Sequence, residues 1–502
     1  MLQDAKEAWK TQDFQKCIDI LERASRLDHA NVPVLLDLGR AYGMRYDYAA
    51  AERTFEKAVR VSQRRADALT MAGMHSRDFG RFEMAGRYLE RAAEQPGASP
   101  DTLVQLAELY ERLRRLEDAS RLIDRALHLD GASAFTLLAR ARLDRLSGRL
   151  EEAERVLRSF LNSTDANTWS TRIRGWYELG SNLDRQGRYD EAMAAFVEAK
   201  ALLTPGATPY STAQQTFHAY MKEAEATITA DVLRRWFDAG QALQPPRRLA
   251  LLCGHPRSGT TLLEQVLDSH PDIVSAEETQ VFRDDAYFPF KRDFQQSTPM
   301  LTVLDSMPLN ALEQSRENYF RCMELFLGNP ISDRLLIDKN PSLTTLIPAA
   351  IRIFPEMKFI VALRDPRDVC LSCFMQPLPL NQVSSSYLSL EDTFEEYASL
   401  MGFWRAIAPR MRNPCIEVRY EDVVSNLEPV SRRVLEFFGV PWDATVLRFD
   451  EHARKKLVRS PTYADVTKPL FKGAVGRWRN YQKHLEPWLK RLDPFVKAFG
   501  YE

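Results

Sequence analysis

The chain has 502 residues, 45% of them hydrophobic and 27% charged. That ordinary globular mix excludes wholesale disorder and a collagen-like fold, and the length calls for about three domains rather than one core. With 68 Lys and Arg against 69 Asp and Glu, the formal charge is -1, so bulk charge gives no footing for nucleic-acid binding and leaves room only for a local basic pocket. No apolar run reaches about 18 residues, so no membrane span is expected. The polar start lacks the apolar stretch of a signal peptide. Cys17, Cys253, Cys322, Cys370, Cys373 and Cys415 are sparse and scattered, which predicts a reducing, cytoplasmic setting rather than a disulfide framework.

The first two hundred residues repeat. Ala51, Ala85, Ala119 and Ala153 recur every 34 residues, and Ala58, Ala92 and Ala126 keep the same step. One step before Ala51 stands Cys17, with Leu21 and Ala24 in the places of Phe55 and Ala58. Small residues at such positions let antiparallel helices approach, while Leu38, Tyr42 and Phe55 fill the groove between hairpins. The pattern resembles the tetratricopeptide repeat, best seen in Leu38-Gly39, Tyr42, Ala51, Phe55 and Ala58. A sixth copy (Trp176, Leu179, Gly180, Ala192, Phe196, Ala199) follows a five-residue insertion expected around Asn162 to Asn167. Residues 1–205 are therefore expected to form an all-helical solenoid of about six repeats. Such repeats imply a groove for a peptide or protein partner, although each side chain named here reads individually as packing.

Residues 206–246 read as a connecting helix and linker, broken at Gln244-Pro245-Pro246. From residue 247 onward short apolar runs alternate with helices: Leu249–Cys253, Leu335–Ile337, Phe359–Leu363 and Cys415–Val418. Strands of that kind predict a parallel sheet covered on both faces, a P-loop-like three-layer α/β domain over 247–502.

The first strand runs into Gly254-His-Pro-Arg257-Ser258-Gly259-Thr260-Thr261. Gly254, Gly259 and Thr261 fit the phosphate-loop pattern, but Thr260 stands where a nucleotide triphosphatase carries lysine. The loop amides and the following helix N-terminus still suit an anion. What is missing is the cation that reaches the β- and γ-phosphates, and this disfavours a kinase or nucleotidase. Arg257 offers a guanidinium instead, and a sulfuryl group, less charged than phosphoryl, suits that arrangement without magnesium.

Pro256-Arg257-Ser258-Gly259-Thr260-Thr261-Leu262 resembles the 5'-phosphosulfate loop of sulfotransferases that use 3'-phosphoadenosine 5'-phosphosulfate (PAPS). Phe359 through Arg364-Asp-Pro-Arg-Asp368 to Ser372 resembles their 3'-phosphate motif, in which Arg364 can fork onto a phosphate and Ser372 donates a hydroxyl. Lys472-Gly473 is similar to the late lysine-glycine loop of the cytosolic enzymes, with Phe471 where those carry Arg, and Tyr420 matches a tyrosine near the adenine. Three anion motifs in the right order span roughly 247 to 502.

Within that family the chain is most similar to the tyrosylprotein sulfotransferase branch, through Leu267-Asp-Ser-His-Pro-Asp272, Glu277-Glu278-Thr279, Lys339-Asn340-Pro341, Val440-Pro441-Trp442 and Lys468-Pro469. The resemblance implies that Glu278 is the general base, that Lys339 stabilises the bridging or sulfuryl oxygen, and that Arg257 is catalytic. Ser460 and Lys468 join the donor-binding set by the same resemblance. A positioned carboxylate and a fixed cation are what the chemistry asks for, since a hydroxyl attacks only as its proton leaves and charge builds on the departing phosphate. Gln280 replaces the arginine that follows the paired glutamates in that branch, so a peptide tyrosine and a sugar hydroxyl both stand as acceptors. Glu277 reads equally well as a solvated carboxylate, and His255, Cys370 and Cys373 as structural. The alternative to an enzyme is an inactive repeat scaffold with a nucleotide-binding domain.

Overall fold

In the computed structural model, residues 1–131, 133–163, 168–243, 245–455 and 473–502 are described. The chain divides into two compact units, Met1–Gln186 and Gly187–Glu502.

Among the described residues the first unit consists of α1 (Leu2–Lys10), α2 (Phe14–Leu27), α3 (Val32–Met44), α4 (Tyr48–Val61), α5 (Arg65–Asp78), α6 (Phe82–Ala93), α7 (Pro100–Arg112), α8 (Leu116–Leu129), α9 (Ala134–Leu146), α10 (Leu150–Asn162) and α11 (Trp169–Arg185). Several helix starts are fixed by side chains that satisfy otherwise orphaned amides: Asp13, Asn31, Asp47 and Ser99 accept from Lys16, Val34, Ala50 and Thr102. The repeating alanines Ala51, Ala85, Ala119 and Ala153 are fully buried, as are Ala58, Ala92 and Ala126. The pairing of Gly39 with Phe55 shows why small residues are needed, because a Cβ at Gly39 would run into the Phe55 ring.

The period is written into the backbone as well. Gln12, Tyr46, Gly80, Arg114 and Gly148, each 34 residues after the last, turn with φ of 58°, 69°, 76°, 62° and 82°. Each hairpin reverses through one left-handed residue, whether or not that residue is glycine. The insertion expected after Asn162 falls partly on residues 164–167, which lie outside the described residues.

The second unit begins at Gly187, so α12 (Tyr189–Leu203), the expected closing helix of the sixth repeat, lies in the unit that holds the sheet. The connecting helix expected within 206–246 is two, α13 (Thr208–Thr227) and α14 (Ala230–Gly240). The break comes where Thr229 caps α14 by accepting from the Val232 amide and Ile228 is fully buried. The described residues of this unit hold a parallel sheet of β1 (Leu249–Gly254), β2 (Ile273–Glu277), β3 (Leu335–Lys339), β4 (Lys358–Leu363) and β5 (Cys415–Arg419), in the order β2-β3-β1-β4-β5. Four of these strands match the apolar runs. The fifth, β2, reads Ile-Val-Ser-Ala-Glu and carries too much polarity to stand out as such a run.

The strand order positions the site. From β1 the chain crosses to one side of the sheet, and after β3 it crosses to the other, so the order reverses between β1 and β4. Loops that leave neighbouring strands in opposite directions open a crevice at their carboxyl ends. Gly254 at the end of β1 pairs with Ala362 near the end of β4, and Glu277 at the end of β2 pairs with Lys339 at the end of β3. Among the described residues no helix is long and apolar enough to cross a membrane.

Two expectations follow. Arg114 is exposed and left-handed, a conformation that costs an L-residue about 1–2 kcal/mol. Arg114→Gly is therefore expected to stabilise the repeats by about 0.5–1 kcal/mol in urea unfolding, after glycine's greater unfolded-state entropy is subtracted.

In the second unit, His218 Nε2 lies 2.8 Å from Glu396 Oε2, which also accepts from Gln214 and Ser386. The hydrogen bond to Glu396 raises the His218 pKa against its burial, with Glu395 adding and Lys222 opposing. The stabilisation is thus fully present below the unfolded histidine value of about 6.5 and is lost as pH rises through the higher folded value. His218→Gln should lower Tm more at about pH 5.5 than at about pH 8.5, and an equal loss at both would contradict this assignment.

Candidate active site

The loop after β1 is wound too tightly for side chains at two positions. Gly254 has φ 132°, and a Cβ there would collide with the Ala362 carbonyl of the neighbouring strand. Its amide donates to Thr344 Oγ1 at 2.9 Å. Gly259 has φ 90°, and a Cβ there would lie 2.6 Å from the Tyr420 ring. Arg257 is also left-handed, with φ 71°. The loop closes with the Ser258 amide donating to the His255 carbonyl at 3.2 Å, and α15 (Thr260–Asp268) starts directly after it. Ser258, Thr260 and Thr261 are all buried. His255 is turned into the core: it is fully buried, its ring lies 4.9 Å from that of Tyr397, and burial depresses its pKa.

The loop after β4 meets the first one directly. Arg364 donates from Nη1 to the Arg257 carbonyl at 3.2 Å and from Nη2 to the Ala474 carbonyl at 2.6 Å. Its guanidinium lies 5.2 Å from the Tyr420 ring centre, and its buried Nε has no hydrogen-bond partner among the described residues. In return Arg257 Nε donates to Ser372 Oγ at 3.1 Å, on the helix Pro366–Phe374. Asp368 accepts the Gly476 amide at 2.7 Å and the Trp478 amide at 2.8 Å. Burial raises the pKa of Asp368, opposed by Arg364 and those two amides. Arg257, Ser258, Gly259, Thr260, Thr261, Arg364, Ser372, Tyr420 and the segment beginning at Gly473 therefore converge. Ser460, Lys468 and Lys472 lie outside the described residues.

A second cluster stands at the ends of β2 and β3. Lys339 has no exposed surface. Its Nζ is 2.8 Å from Glu278 Oε1, 3.4 Å from Glu277 Oε1 and 3.4 Å from Glu264 Oε2. Burial works against the ammonium, but the fields of Glu264, Glu278 and Glu277 outweigh it and raise the Lys339 pKa. The carboxylates differ in access: the Glu278 side chain is 41% exposed and that of Glu277 only 4%. Glu278 follows the last residue of β2 in a left-handed turn with φ 49°, and its amide donates to the Lys339 carbonyl at 2.7 Å. That turn lifts one carboxylate of the pair out of the sheet. Asp338 lies beneath it, with Tyr319 donating to it at 2.9 Å, and burial pushes its pKa up to about 7.

A model described as "Sulfotransferase family" matches residues 250–444, the stretch that holds both clusters, and a tetratricopeptide repeat model matches residues 173–202. The chain carries a sulfotransferase-family domain. Protein-tyrosine sulfotransferase 1 of Danio rerio is 26% identical over 264 residues, covering 51% of this chain and 72% of its own length. Protein-tyrosine sulfotransferase A of Caenorhabditis elegans is 24% identical over 261 residues, covering 50% and 66%. An uncharacterized protein of Aquifex aeolicus is 24% identical over 344 residues, 65% of this chain, and the match spans 42% of that protein. Among solved structures, the sulfotransferase domain of a Synechococcus olefin synthase superposes with a TM-score of 0.34 at 20% identity, covering 49% of this chain and 96% of that one.

Two residues of the sulfotransferase domain carry more than their sequence context suggests. Asp368 lies inside the motif that begins at Arg364, yet nothing local announces that it holds a loop more than a hundred residues away. Glu264 interrupts the apolar run Leu262-Leu263-Glu264-Gln265-Val266-Leu267. Three and four residues after Thr261 and Thr260, it shares their helix face, and that spacing was the available signal. Asp368→Ala removes the acceptor of two backbone amides, at a cost of about 1.5–3 kcal/mol for each bond to a charged group. It should speed hydrogen exchange at Gly476 and Trp478 while the amides of β1 and β4 keep their protection.

Proposed function

We propose that the domain transfers a sulfuryl group from PAPS to an acceptor hydroxyl. The observation that carries this reading is the meeting of two anion motifs at the β1–β4 reversal, with the accessible carboxylate of Glu278 beyond them. Two features fit the donor. The buried Arg364 Nε has no hydrogen-bond partner among the described residues, as expected of a guanidinium that serves a phosphate. Tyr420 packs on Gly259 so closely that only glycine fits, which suits an adenine flanked by that ring.

In this reading the amides of residues 257–261 and the N-terminus of α15 hold the 5'-phosphosulfate, and Arg364 and Ser372 hold the 3'-phosphate. Lys468, Lys472 and Ser460 complete the donor-binding set. Arg257, tied to Ser372, spans the two ends and offers positive charge to the departing phosphate. Glu278 takes the acceptor's proton as the acceptor oxygen bonds to sulfur and the bond from sulfur to the bridging oxygen breaks, leaving 3',5'-adenosine diphosphate. Lys339 orients Glu278 by the 2.8 Å contact and reaches a sulfuryl oxygen only by giving up one of its carboxylates. The acceptor is a peptide tyrosine or a sugar hydroxyl, the repeats recruit it or a partner protein, and the scattered cysteines suit a cytoplasmic enzyme.

Calorimetry with 3',5'-adenosine diphosphate is expected to show binding that gains nothing from magnesium. No binding at high micromolar nucleotide would overturn the reading. With labelled donor and a panel of tyrosine peptides and oligosaccharides, Glu278→Gln should cut transfer about 10²–10⁴-fold and leave nucleotide affinity unchanged. A chain that binds the nucleotide and labels nothing would be the inactive scaffold.

A further inference from the structure

Glu264 has no part in the mechanism above, yet it is fully buried in the middle of α15. Its Oε1 accepts from Ser275 Oγ at 2.7 Å, and its Oε2 stands 3.4 Å from Lys339 Nζ. An ammonium has three N–H donors, and three carboxylates surround this one: Glu264, Glu277 and Glu278. A buried carboxylate beside two others is unfavourable unless a cation and hydrogen bonds compensate it. A leucine would fill the same volume without that cost.

We propose that Glu264 is a positioning residue for Glu278, anchoring the Lys339 ammonium between the helix that follows the phosphate loop and the exposed carboxylate at the end of β2. The proposal rests on the reading of Glu278 as the base. Its geometric side is simple. Glu264 is itself fixed by Ser275 on β2, so Lys339 is held from behind and the carboxylate it orients cannot drift. Its electrostatic side follows from sharing. One positive charge is divided among three carboxylates, so the attraction that holds Glu278 depends on how much of it Glu264 takes. The groups facing the cluster are Glu264, Glu277, Glu278 and Lys339, with Asp338 and Tyr319 packed beneath. Glu278, alone of the three carboxylates in having an exposed side chain, can pass its proton to solvent.

The test reads Glu278 itself and needs no acceptor. The full chain is labelled with δ-¹³C glutamate, the Glu278 resonance is identified by its loss in Glu278→Gln, and its titration is followed by NMR. In Glu264→Gln, which keeps the shape but frees the Lys339 charge, the Glu278 midpoint is expected to fall by about one unit. Glu264→Asp keeps the charge on a shorter arm and should give a smaller fall in the same direction. An unchanged midpoint in Glu264→Gln overturns the proposal; should that variant not fold, an unchanged midpoint in Glu264→Asp does so. Nucleotide calorimetry on the same samples reads the sulfotransferase assignment separately. A shifted midpoint without nucleotide binding would sustain the role of Glu264 and remove the proposed reaction.

Discussion

The sheet-bearing unit of the chain depends on a clasp between two arginines. Arg364, at the end of β4, donates to the carbonyl of Arg257, and Arg257 donates to Ser372, eight residues beyond Arg364. Each loop thereby fixes the other at the carboxyl ends of β1 and β4. Hydrogen bonds from charged donors are worth about 1.5–3 kcal/mol apiece, and they matter more than that here because a buried guanidinium without partners is so costly. The clasp is possible because β1 and β4 are adjacent in the sheet, with Gly254 admitting the Ala362 carbonyl at its back. The same Arg364 reaches Ala474, and Asp368, one turn along its helix, takes the amides of Gly476 and Trp478. A third loop is thus tied to the first two by hydrogen bonds.

The second cluster follows a different logic. Around Lys339 carboxylates outnumber cations, all but one of the carboxylates are buried, and the exception stands on a left-handed turn. A cluster built this way keeps its charge in place by mutual attraction and exposes a single carboxylate. The pairing of Glu277 with Lys339 in the β2–β3 register sets which of the two consecutive glutamates lies inside.

Much of this was legible before any coordinates. The alanine period of 34 survives as fully buried helix contacts and as a left-handed residue at every 34th position, because both follow from one hairpin geometry repeated. The phosphate loop could be read because its glycines answer to backbone constraints that few other residues satisfy. The parallel sheet was legible as four apolar runs, and β2 was not, since Ser275 and Glu277 are polar for reasons that lie in Glu264 on α15 and Lys339 on β3. Partnership of that kind leaves no local mark. The same holds for Asp368, which looks like one more charged residue on a helix; Glu264 is marked only by its break in the apolar run 262–267 and its spacing from Thr260 and Thr261. It also holds for the division at Gly187, where the repeat pattern continues through a residue at which the compact unit changes.

The most direct measurement is a crystal structure of the full chain with 3',5'-adenosine diphosphate. One nucleotide is expected to span the clasp, with its 5'-phosphate on the amides of residues 257–261, its 3'-phosphate on Arg364 and Ser372, and its adenine beside Tyr420. The face of the 5'-phosphate that would carry the sulfuryl group in the donor should open toward Glu278. A nucleotide that leaves Arg257 and Arg364 bonded only to protein, or that lies with its 5'-phosphate away from Glu278, would contradict it.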